Sequence, residues 1–243
     1  MKEKNIISVY SLVIEIGRLC TRKCKHCLRG CMEDVTIDFK YIEEVLSQIN
    51  GTVNCITFTG GEPLLYADVI IRTLDYIMSK GIEVLNFYIA SNGEIYNEQV
   101  IEKLLEFYYY AEEMGGSDIS AYDISNDQFH KPNYDVIDML YDLPFYTERK
   151  PIPTQGIIQE GLAEENGIGR RMLDYNENFS CTYWKTDKTF IEVEMLYLNA
   201  FGNLYAECDF SYDTQRNLRT INCMERKLLD IFTDKRWCEV TMD

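Results

Sequence analysis

The chain has 243 residues, of which 46% are hydrophobic and 13% aromatic, so it can bury a large core and is not a disordered chain. Its formal net charge of −16 argues against a nucleic-acid backbone as the main partner, because that binding relies on Lys and Arg. The apolar run at residues 5–17 is too short and too polar for a signal segment or a membrane helix. We therefore expect a cytoplasmic protein with no membrane partner.

Strand-like and helix-like segments alternate along the first part of the chain. The predicted strands cover residues 8–17, 53–60, 83–93, 118–125 and 144–151, and the helices between them cover residues 38–50, 66–81, 97–116 and 134–143. Thr36 is the predicted cap of the first helix, and Gly81 ends the second. Strands this apolar are covered on both faces, so the pattern predicts a parallel sheet with helices outside and right-handed crossovers.

The alternation stops beyond the fifth strand. Residues 152–185 are irregular and polar, and so long a segment in a compact domain is typical of a lid or a substrate-binding loop. Residues 190–212 then predict a β-hairpin that turns at Phe-Gly-Asn, and residues 225–232 predict a last short helix. We therefore expect a core of residues 1–151, followed by residues 152–243 as the remainder of the fold, a lid and a cysteine-containing extension.

The cysteines are unevenly distributed. They are Cys20, Cys24, Cys27 and Cys31 near the start, Cys55 in the second predicted strand, and Cys181, Cys208, Cys223 and Cys238 in the last third. Thiols of cytosolic proteins stay reduced, so we expect no disulfides. Cys55 is predicted to be a small buried hydrophobic residue.

The first three cysteines raise the question of a missing ligand. Cys20, Cys24 and Cys27 directly follow the first strand, at spacings of four and three residues. A 4Fe–4S cluster needs four iron ligands, usually thiolates, so three thiolates leave one iron without a protein ligand. The fourth ligand is either Cys31 or a molecule that is not protein. With Cys31, the same residues predict the alternative class of function, a non-catalytic four-cysteine zinc protein or electron carrier.

Polar or glycine-rich residues end the next three strands. They are TGGEP at residues 59–63, SNG at residues 91–93 and DISND at residues 123–127. The carboxyl ends of parallel strands lie on one face of a sheet or barrel, and that face carries the site. We therefore expect these three clusters and the cysteine loop to surround one opening.

The cysteine motif, together with GGEP at the next strand end, resembles the radical S-adenosylmethionine (radical SAM) superfamily over residues 8–150. The resemblance implies an α/β fold, a partial (β/α)6 barrel with a short C-terminal hairpin and helix extension. It implies that Cys20, Cys24 and Cys27 bind a 4Fe–4S cluster and that S-adenosylmethionine binds the fourth iron. It also implies an oxidoreductase-type reaction. A reductant such as flavodoxin or ferredoxin supplies one electron, S-adenosylmethionine is cleaved, and a 5′-deoxyadenosyl radical abstracts hydrogen from a substrate.

Eight further residues match cofactor-binding positions of that superfamily. They are His26, Gly60, Gly61, Glu62, Ser91, Asn92, Ser125 and Asp127. On the resemblance, the glycines permit close backbone approach, and Glu62 accepts a hydrogen bond from the methionyl ammonium. Ser91 and Asn92 are expected at the ribose hydroxyls.

The remaining positions leave alternatives open. Ser125 and Asp127 are expected at the ribose or at the carboxylate end of S-adenosylmethionine. His26 either lies near the adenine or orients the cysteine loop. His130, beside the fourth strand end, is either a structural residue or a proton relay or substrate contact.

The substrate is the least determined feature. The fourth strand end and the hairpin resemble peptide-modifying members, so a peptide or protein is the expected substrate. A small molecule such as a deazapurine precursor is the alternative. In the same members, a hairpin near Gly202 carries cysteines for a second Fe–S cluster, and the corresponding ligands here are Cys181, Cys208, Cys223 and Cys238. This part of the chain contains no C-x2-C pair, so free thiols on a degenerate extension are the other interpretation.

Overall fold

A computed structural model of the chain describes residues 5–149, 151, 153–172, 174–185 and 188–242. Its strands are β1 Ile6–Gly17, β2 Val53–Gly60, β3 Val84–Ser91, β4 Ala121–Ser125, β5 Tyr146–Arg149, β6 Phe179–Lys185, β7 Thr189–Leu198, β8 Asn203–Tyr205, β9 Ile221–Asn222 and β10 Cys238–Met242. Six of them run parallel in the order β7-β1-β2-β3-β4-β5. The predicted α/β fold class, with parallel strands and helices outside, is confirmed by this architecture.

Helices cover the outside of the parallel strands. They are α1 Phe39–Leu46, α2 Ala67–Lys80, α3 Glu98–Glu113, α4 Tyr134–Leu140, α5 Leu162–Glu165, α6 Tyr212–Gln215 and α7 Leu228–Phe232, with short 3-10 turns at Pro63–Tyr66 and Thr154–Gly156. Gly81 ends α2 in the left-handed region, at a φ of 62°, as predicted. Among the described residues, no helix is both long enough and apolar enough to cross a membrane.

The predicted cap of the first helix was wrong. Asp38, not Thr36, is the N-cap of α1, and its side chain accepts a hydrogen bond from the Lys40 amide at 3.1 Å. Thr36 instead forms an isolated antiparallel bridge with Gly17, at the end of β1. The backbone of Thr36 therefore belongs to the sheet edge, and the helix begins two residues later than the cap prediction implied.

The two faces of each central strand differ in chemistry. Residues such as Leu12, Ile56 and Phe87 are fully buried in the main hydrophobic core. Their neighbours along the strands, such as Thr57 and Tyr88, face an internal cavity instead. Side chains of a strand alternate between its faces, so this alternation separates a packed outer layer from a partly polar inner wall.

The predicted hairpin proved to be part of the central sheet. β7 and β8 are antiparallel and joined by a tight turn, as expected. However, β7 also pairs in parallel with β1 over Ile6–Ile14, which makes it the sixth parallel strand. The proposed division of the chain at residue 151 falls between β5 and β6 and stays a prediction.

The expectation of no disulfides was wrong for one pair of cysteines. Cys181 of β6 and Cys238 of β10 form a disulfide, with Cα atoms 6.4 Å apart. The two strands are parallel neighbours, and Cys181 lies opposite Val240, two residues beyond Cys238. The two side chains are therefore diagonal neighbours in a buried part of the sheet. The prediction of no disulfides rested only on the reducing environment of the cytosol and did not take into account which cysteines lie next to each other.

Candidate active site

A cavity of about 530 Å³ opens at the carboxyl ends of the parallel strands. All eleven residues that the sequence singled out line it: Cys20, Cys24, His26, Cys27, Gly60, Gly61, Glu62, Ser91, Asn92, Ser125 and Asp127. They follow β1, β2, β3 and β4, whose carboxyl ends converge because the strands are parallel. The sequence-based expectation of a single opening therefore agrees with the geometry.

The three motif cysteines, Cys20, Cys24 and Cys27, line this cavity. They also line a second, smaller cavity of about 50 Å³ behind their loop. Burial, reinforced by the Cys27 thiolate, raises the pKa of Cys24 to about 11, and burial also raises the pKa of Cys20. Cys31 is exposed and lines neither cavity. Cys20, Cys24 and Cys27 therefore share a site, and Cys31 lies outside it.

The glycines of GGEP let the end of β2 pack against the start of the cysteine loop. The amide of Gly61 donates to the Gly17 carbonyl at 2.9 Å, and the amide of Glu62 donates to the Leu19 carbonyl at 2.8 Å. A methyl group at Gly60 or Gly61 would overlap one of these carbonyl groups, and Gly60 also has a φ of +132°. Only glycine fits here, and the contact holds Glu62 beside the thiols.

Glu62 is a buried carboxylate with hydrogen bonds but without a cation. It is 1% exposed and accepts hydrogen bonds from the Ser91 hydroxyl and the Asn92 amide, both at 2.9 Å, and from the Leu64 amide at 3.2 Å. Burial raises the pKa of Glu62, although these hydrogen bonds oppose the rise. No Lys or Arg among the residues that the structure describes forms an ion pair with it. A carboxylate in this setting suits a ligand that brings a positive charge.

Ser91 and Asn92 are engaged with the protein. The Ser91 hydroxyl donates to Glu62 and accepts from the Gly93 amide at 3.1 Å. The Asn92 side-chain amide donates to the Thr21 hydroxyl at 2.9 Å. In this arrangement both residues orient Glu62 and the cysteine loop, and their predicted contact with ribose stays a prediction.

Asp127 and His130 form a pair that reaches the cysteine loop. One carboxylate oxygen of Asp127 lies 2.9 Å from Nδ1 of His130 and also accepts the amides of Phe129 and His130. Burial opposes ionisation of Asp127, but these hydrogen bonds outweigh it and lower its pKa. Nε2 of His130 lies 3.3 Å from the Cys24 sulfur. His130 therefore contacts a candidate cluster ligand directly, whereas Ser125 lies nearby at the end of β4.

His26 stacks against an aromatic ring at the cavity wall. Its ring centroid lies 4.1 Å from that of Phe129 and 4.9 Å from that of His130. Burial, followed by the neighbouring His130, lowers the pKa of His26. Nδ1 of His26 is buried and has no hydrogen-bond partner among the described residues. The neutral ring therefore presents an unsatisfied nitrogen next to the cavity.

Sequence reasoning missed Arg149 at the end of β5. Its guanidinium lines the cavity, donates to the Tyr88 hydroxyl at 2.6 Å and lies 3.2 Å from the Asp123 carboxylate. Burial and the hydrogen bond to Asp123 raise the pKa of Tyr88 to about 12. The strand-end rule that identified Ser125 would also have found Arg149, because residues 144–151 were predicted as a strand.

The four C-terminal cysteines do not form a ligand set for a second cluster. Cys181 and Cys238 form a disulfide, and Cys223 is buried beside the Tyr41 carbonyl. Cys208 lies at the cavity wall, where burial raises its pKa to about 11. These described cysteines occupy three separate places in this structure, so a second cluster is not shown.

Comparison with known proteins agrees with this site. Residues 14–110 match the model of the Radical SAM superfamily. The chain is also 28% identical over 98 residues to uncharacterized protein MJ0907 of Methanocaldococcus jannaschii, an alignment that covers 39% of this chain and 34% of that protein. Residues 14–110 are therefore similar to the Radical SAM superfamily, in agreement with the resemblance of the motifs.

Two solved structures share the fold. Streptococcus suis SuiB bound to S-adenosylmethionine superimposes with a TM-score of 0.50 at 16% identity, over 93% of this chain and 66% of SuiB. Native anSMEcpe, with bound AdoMet and a Cp18Cys peptide, gives a TM-score of 0.53 at 12% identity, over 94% of this chain and 81% of that chain. The chain thus spans about a third of its curated relative and just under two thirds of SuiB.

The residues of the cavity fit S-adenosylmethionine and a 4Fe–4S cluster. The site combines three thiols, the buried Glu62 without a cation, and two buried polar atoms without partners among the described residues, Nδ1 of His26 and the hydroxyl of Tyr212. Thiolates are the usual ligands of an iron–sulfur cluster, and a carboxylate accepts hydrogen bonds from an ammonium group.

Proposed function

We propose that this chain is a radical SAM enzyme that acts on a peptide or protein. The observation that carries the proposal is the set of three thiols beside the buried, cation-free carboxylate of Glu62, in one cavity. When bound, the cluster and S-adenosylmethionine supply a 5′-deoxyadenosyl radical that takes a hydrogen atom from the substrate. A small electron carrier such as flavodoxin or ferredoxin is the proposed reductant.

Different residues at the strand ends bind the cluster and the two ends of the methionyl group. Cys20, Cys24 and Cys27 bind three irons, and the exposed Cys31 takes no part. Glu62 accepts hydrogen bonds from the methionyl ammonium, in a pocket where burial strengthens the attraction. Arg149, a cation at the cavity wall, is placed to bind the methionyl carboxylate.

His26 and the polar residues after β4 complete this binding site. The ring of His26 is held by stacking against Phe129 and presents its unsatisfied Nδ1 to the adenine end of the ligand. Ser125 lies at the end of β4, opposite Arg149 of β5, and lines the cavity, where its hydroxyl serves the ribose or the carboxylate. Asp127 acts through His130, which it holds against Cys24.

The segment after β5 protects the cavity from water. Ile158 lines the cavity wall. The Leu162 amide donates to the Cys27 carbonyl at 2.9 Å, and the Asn166 side chain donates to the Lys25 carbonyl at 3.2 Å. This segment therefore both covers the opening and supports the cysteine loop. Exclusion of water and of other hydrogen donors is what a reactive radical requires.

A peptide is the proposed substrate because two proteins that share this fold have been solved with a bound peptide. SuiB has been solved bound to precursor peptide SuiA, and anSMEcpe with a Cp18Cys peptide. The polar residues Ser125 and Asp127 at the end of β4, which resemble those of peptide-modifying members, also support a peptide substrate. The proposed substrate is thus a peptide whose C–H bond is placed at the inner wall of the cavity.

Anaerobic reconstitution tests the enzyme proposal. We expect a brown protein with about four irons per chain that forms 5′-deoxyadenosine when it is reduced in the presence of S-adenosylmethionine. A colourless protein that binds one zinc ion through Cys31 and the other three cysteines would contradict it.

The substrate class needs a separate experiment. A short peptide encoded beside the gene, prepared with deuterium on carbon, should transfer deuterium to 5′-deoxyadenosine. Transfer from a small nucleobase precursor, with none from the peptide, would replace the peptide by the small molecule and leave the enzyme proposal intact.

A further inference from the structure

Tyr212 links the C-terminal part of the chain to the cysteine loop. It begins α6, far from the motif cysteines in sequence, yet it lines the small cavity behind their loop together with Cys20, Cys24 and Cys27. The side chain is 3% exposed. A residue of the extension thus shares a wall with all three candidate cluster ligands.

The hydroxyl of Tyr212 is buried without a partner. No hydrogen-bond partner for it occurs among the described residues. The Tyr212 amide donates to the Arg29 carbonyl at 3.0 Å, and the Arg18 guanidinium packs 4.1 Å from the ring centroid. Buried hydroxyl groups in native proteins are almost always hydrogen-bonded, so we expect this hydroxyl to donate to an acceptor other than the described residues.

The surroundings of Tyr212 are suited to a negatively charged acceptor. Arg29 lines the same small cavity and donates to the carbonyls of Cys208 and Phe210, at 2.7 and 2.8 Å. No carboxylate forms an ion pair with Arg29 in the part of the chain that the structure describes. A cluster bound by three thiolates carries net negative charge, and Tyr212 lines the small cavity together with the three cysteines that would bind it.

We propose that Tyr212 donates a hydrogen bond to a sulfur of the 4Fe–4S cluster, and that the C-terminal segment thereby sets the reduction potential of the cluster. This inference rests on the proposed function, since it requires the cluster. A hydrogen bond to cluster sulfur stabilises the more negative, reduced state more than the oxidised state, so it raises the potential. Tyr212 is in this sense a positioning and tuning residue, supplied by the extension to the core.

The variant Tyr212→Phe tests the inference, because it removes only the phenol oxygen. Tyr205→Phe is the matched control. Tyr205 is buried in the same segment, but it lines neither cavity, and its hydroxyl donates to the Gln215 carbonyl at 3.2 Å. In the iron-free protein we expect Tyr212→Phe to unfold at the wild-type temperature or above, since its lost hydroxyl had no partner, and Tyr205→Phe to unfold below it.

The decisive readout is the midpoint potential of the reconstituted cluster, followed by electron paramagnetic resonance. We expect Tyr212→Phe to shift the potential to more negative values and to remove one exchangeable proton coupled to the reduced cluster, with neither change in Tyr205→Phe. Equal potentials for wild type and Tyr212→Phe, equal shifts in both variants, or an iron-free Tyr212→Phe protein that fails to fold would each overturn the inference. Failure of the wild-type chain to take up a cluster would instead reject the proposed function.

Discussion

The β-α core and the C-terminal segment differ in the sequence separation of the contacts that determine their structure. In the core, each strand is followed by a helix and then by its parallel neighbour, so local patterns determine both the elements and their order. In the C-terminal segment, β7 pairs with β1 and β6 pairs with β10, across separations of tens to hundreds of residues. The core therefore carries the binding residues on a regular frame, whereas the extension is attached to it by specific long-range contacts.

A buried polar network makes this attachment. Glu15 and Arg18 lie at the end of β1, 2.7 Å apart, and both are fully buried. Gln215 of α6 bonds to both of them, and the Tyr197 hydroxyl of β7 donates to Glu15. The end of the first strand is thus joined to two elements of the extension immediately before the cysteine loop begins, which connects the folding of the extension to the geometry of the cluster loop.

Replacement of single motif cysteines, which belong to the β-α core, should give the largest effect. We expect Cys27→Ala to lose the cluster and all cleavage of S-adenosylmethionine, because one iron loses its thiolate. Cys31→Ala is the control and should keep both, since Cys31 is exposed and lies outside the site. Iron content and 5′-deoxyadenosine formation measure the outcome, and a Cys31→Ala protein without iron would reverse the ligand assignment.

Disruption of the buried network should give the next largest effect, on the link between the two regions. Arg18→Met leaves Glu15 as an unpaired buried charge, so we expect a loss of about 3–5 kcal/mol in the free energy of unfolding. Chemical denaturation of the iron-free protein measures it. Adding Glu15→Gln to Arg18→Met removes the unpaired charge and should recover part of the loss. If the double variant is as unstable as the sum of the two single ones, the two residues do not act as a pair.

The same contrast explains what could be predicted from the sequence. The strand at residues 53–60 was predicted with the bounds that the structure shows, because its buried β-branched residues and terminal glycines are local signals. The pairing of β7 with β1 and the disulfide between Cys181 and Cys238 depend on which distant strands become neighbours, and no local pattern records that. Arg149 was missed for a third reason. Residues 144–151 were predicted as a strand, but the polar residues near the end of this strand were not included in the predicted site.

A conservative change at Glu62 should weaken cofactor binding without loss of the cluster. Glu62→Gln keeps the shape and most of the hydrogen bonds but removes the charge that attracts an ammonium group. A charge-assisted hydrogen bond is worth about 1.5–3 kcal/mol, so we expect affinity for S-adenosylmethionine to fall about ten- to a hundredfold, measured by calorimetry on the reconstituted protein. Unchanged affinity with an intact cluster would reject this role for Glu62.

The acidity of Glu62 gives the same contact a characteristic pH dependence. Burial raises the pKa of Glu62, and only its ionised form attracts the ammonium group. Affinity for S-adenosylmethionine should therefore be full at high pH and should fall as the pH drops through this raised pKa, beginning at a higher pH than for an ordinary glutamate. In Glu62→Gln this part of the pH profile should be absent, and a profile identical to that of the wild type would assign the titration to another group.

The smallest effect is expected at Arg149, and a cofactor analogue makes it measurable. The Arg149 side chain is 42% exposed, so solvent screens its charge, and we expect Arg149→Gln to weaken binding of S-adenosylmethionine by about fivefold, or about 1 kcal/mol. Decarboxylated S-adenosylmethionine lacks the group that Arg149 is proposed to bind but keeps the ammonium group. Its affinity should therefore be unchanged in Arg149→Gln and reduced in Glu62→Gln. Arg22→Gln is the control, since Arg22 also lines the cavity but is engaged with Glu94 at 2.8 Å, and it should affect both ligands equally. If Arg149→Gln weakens both ligands by the same factor, Arg149 acts through Tyr88 and Asp123 on the shape of the inner wall, and the carboxylate of the cofactor binds elsewhere.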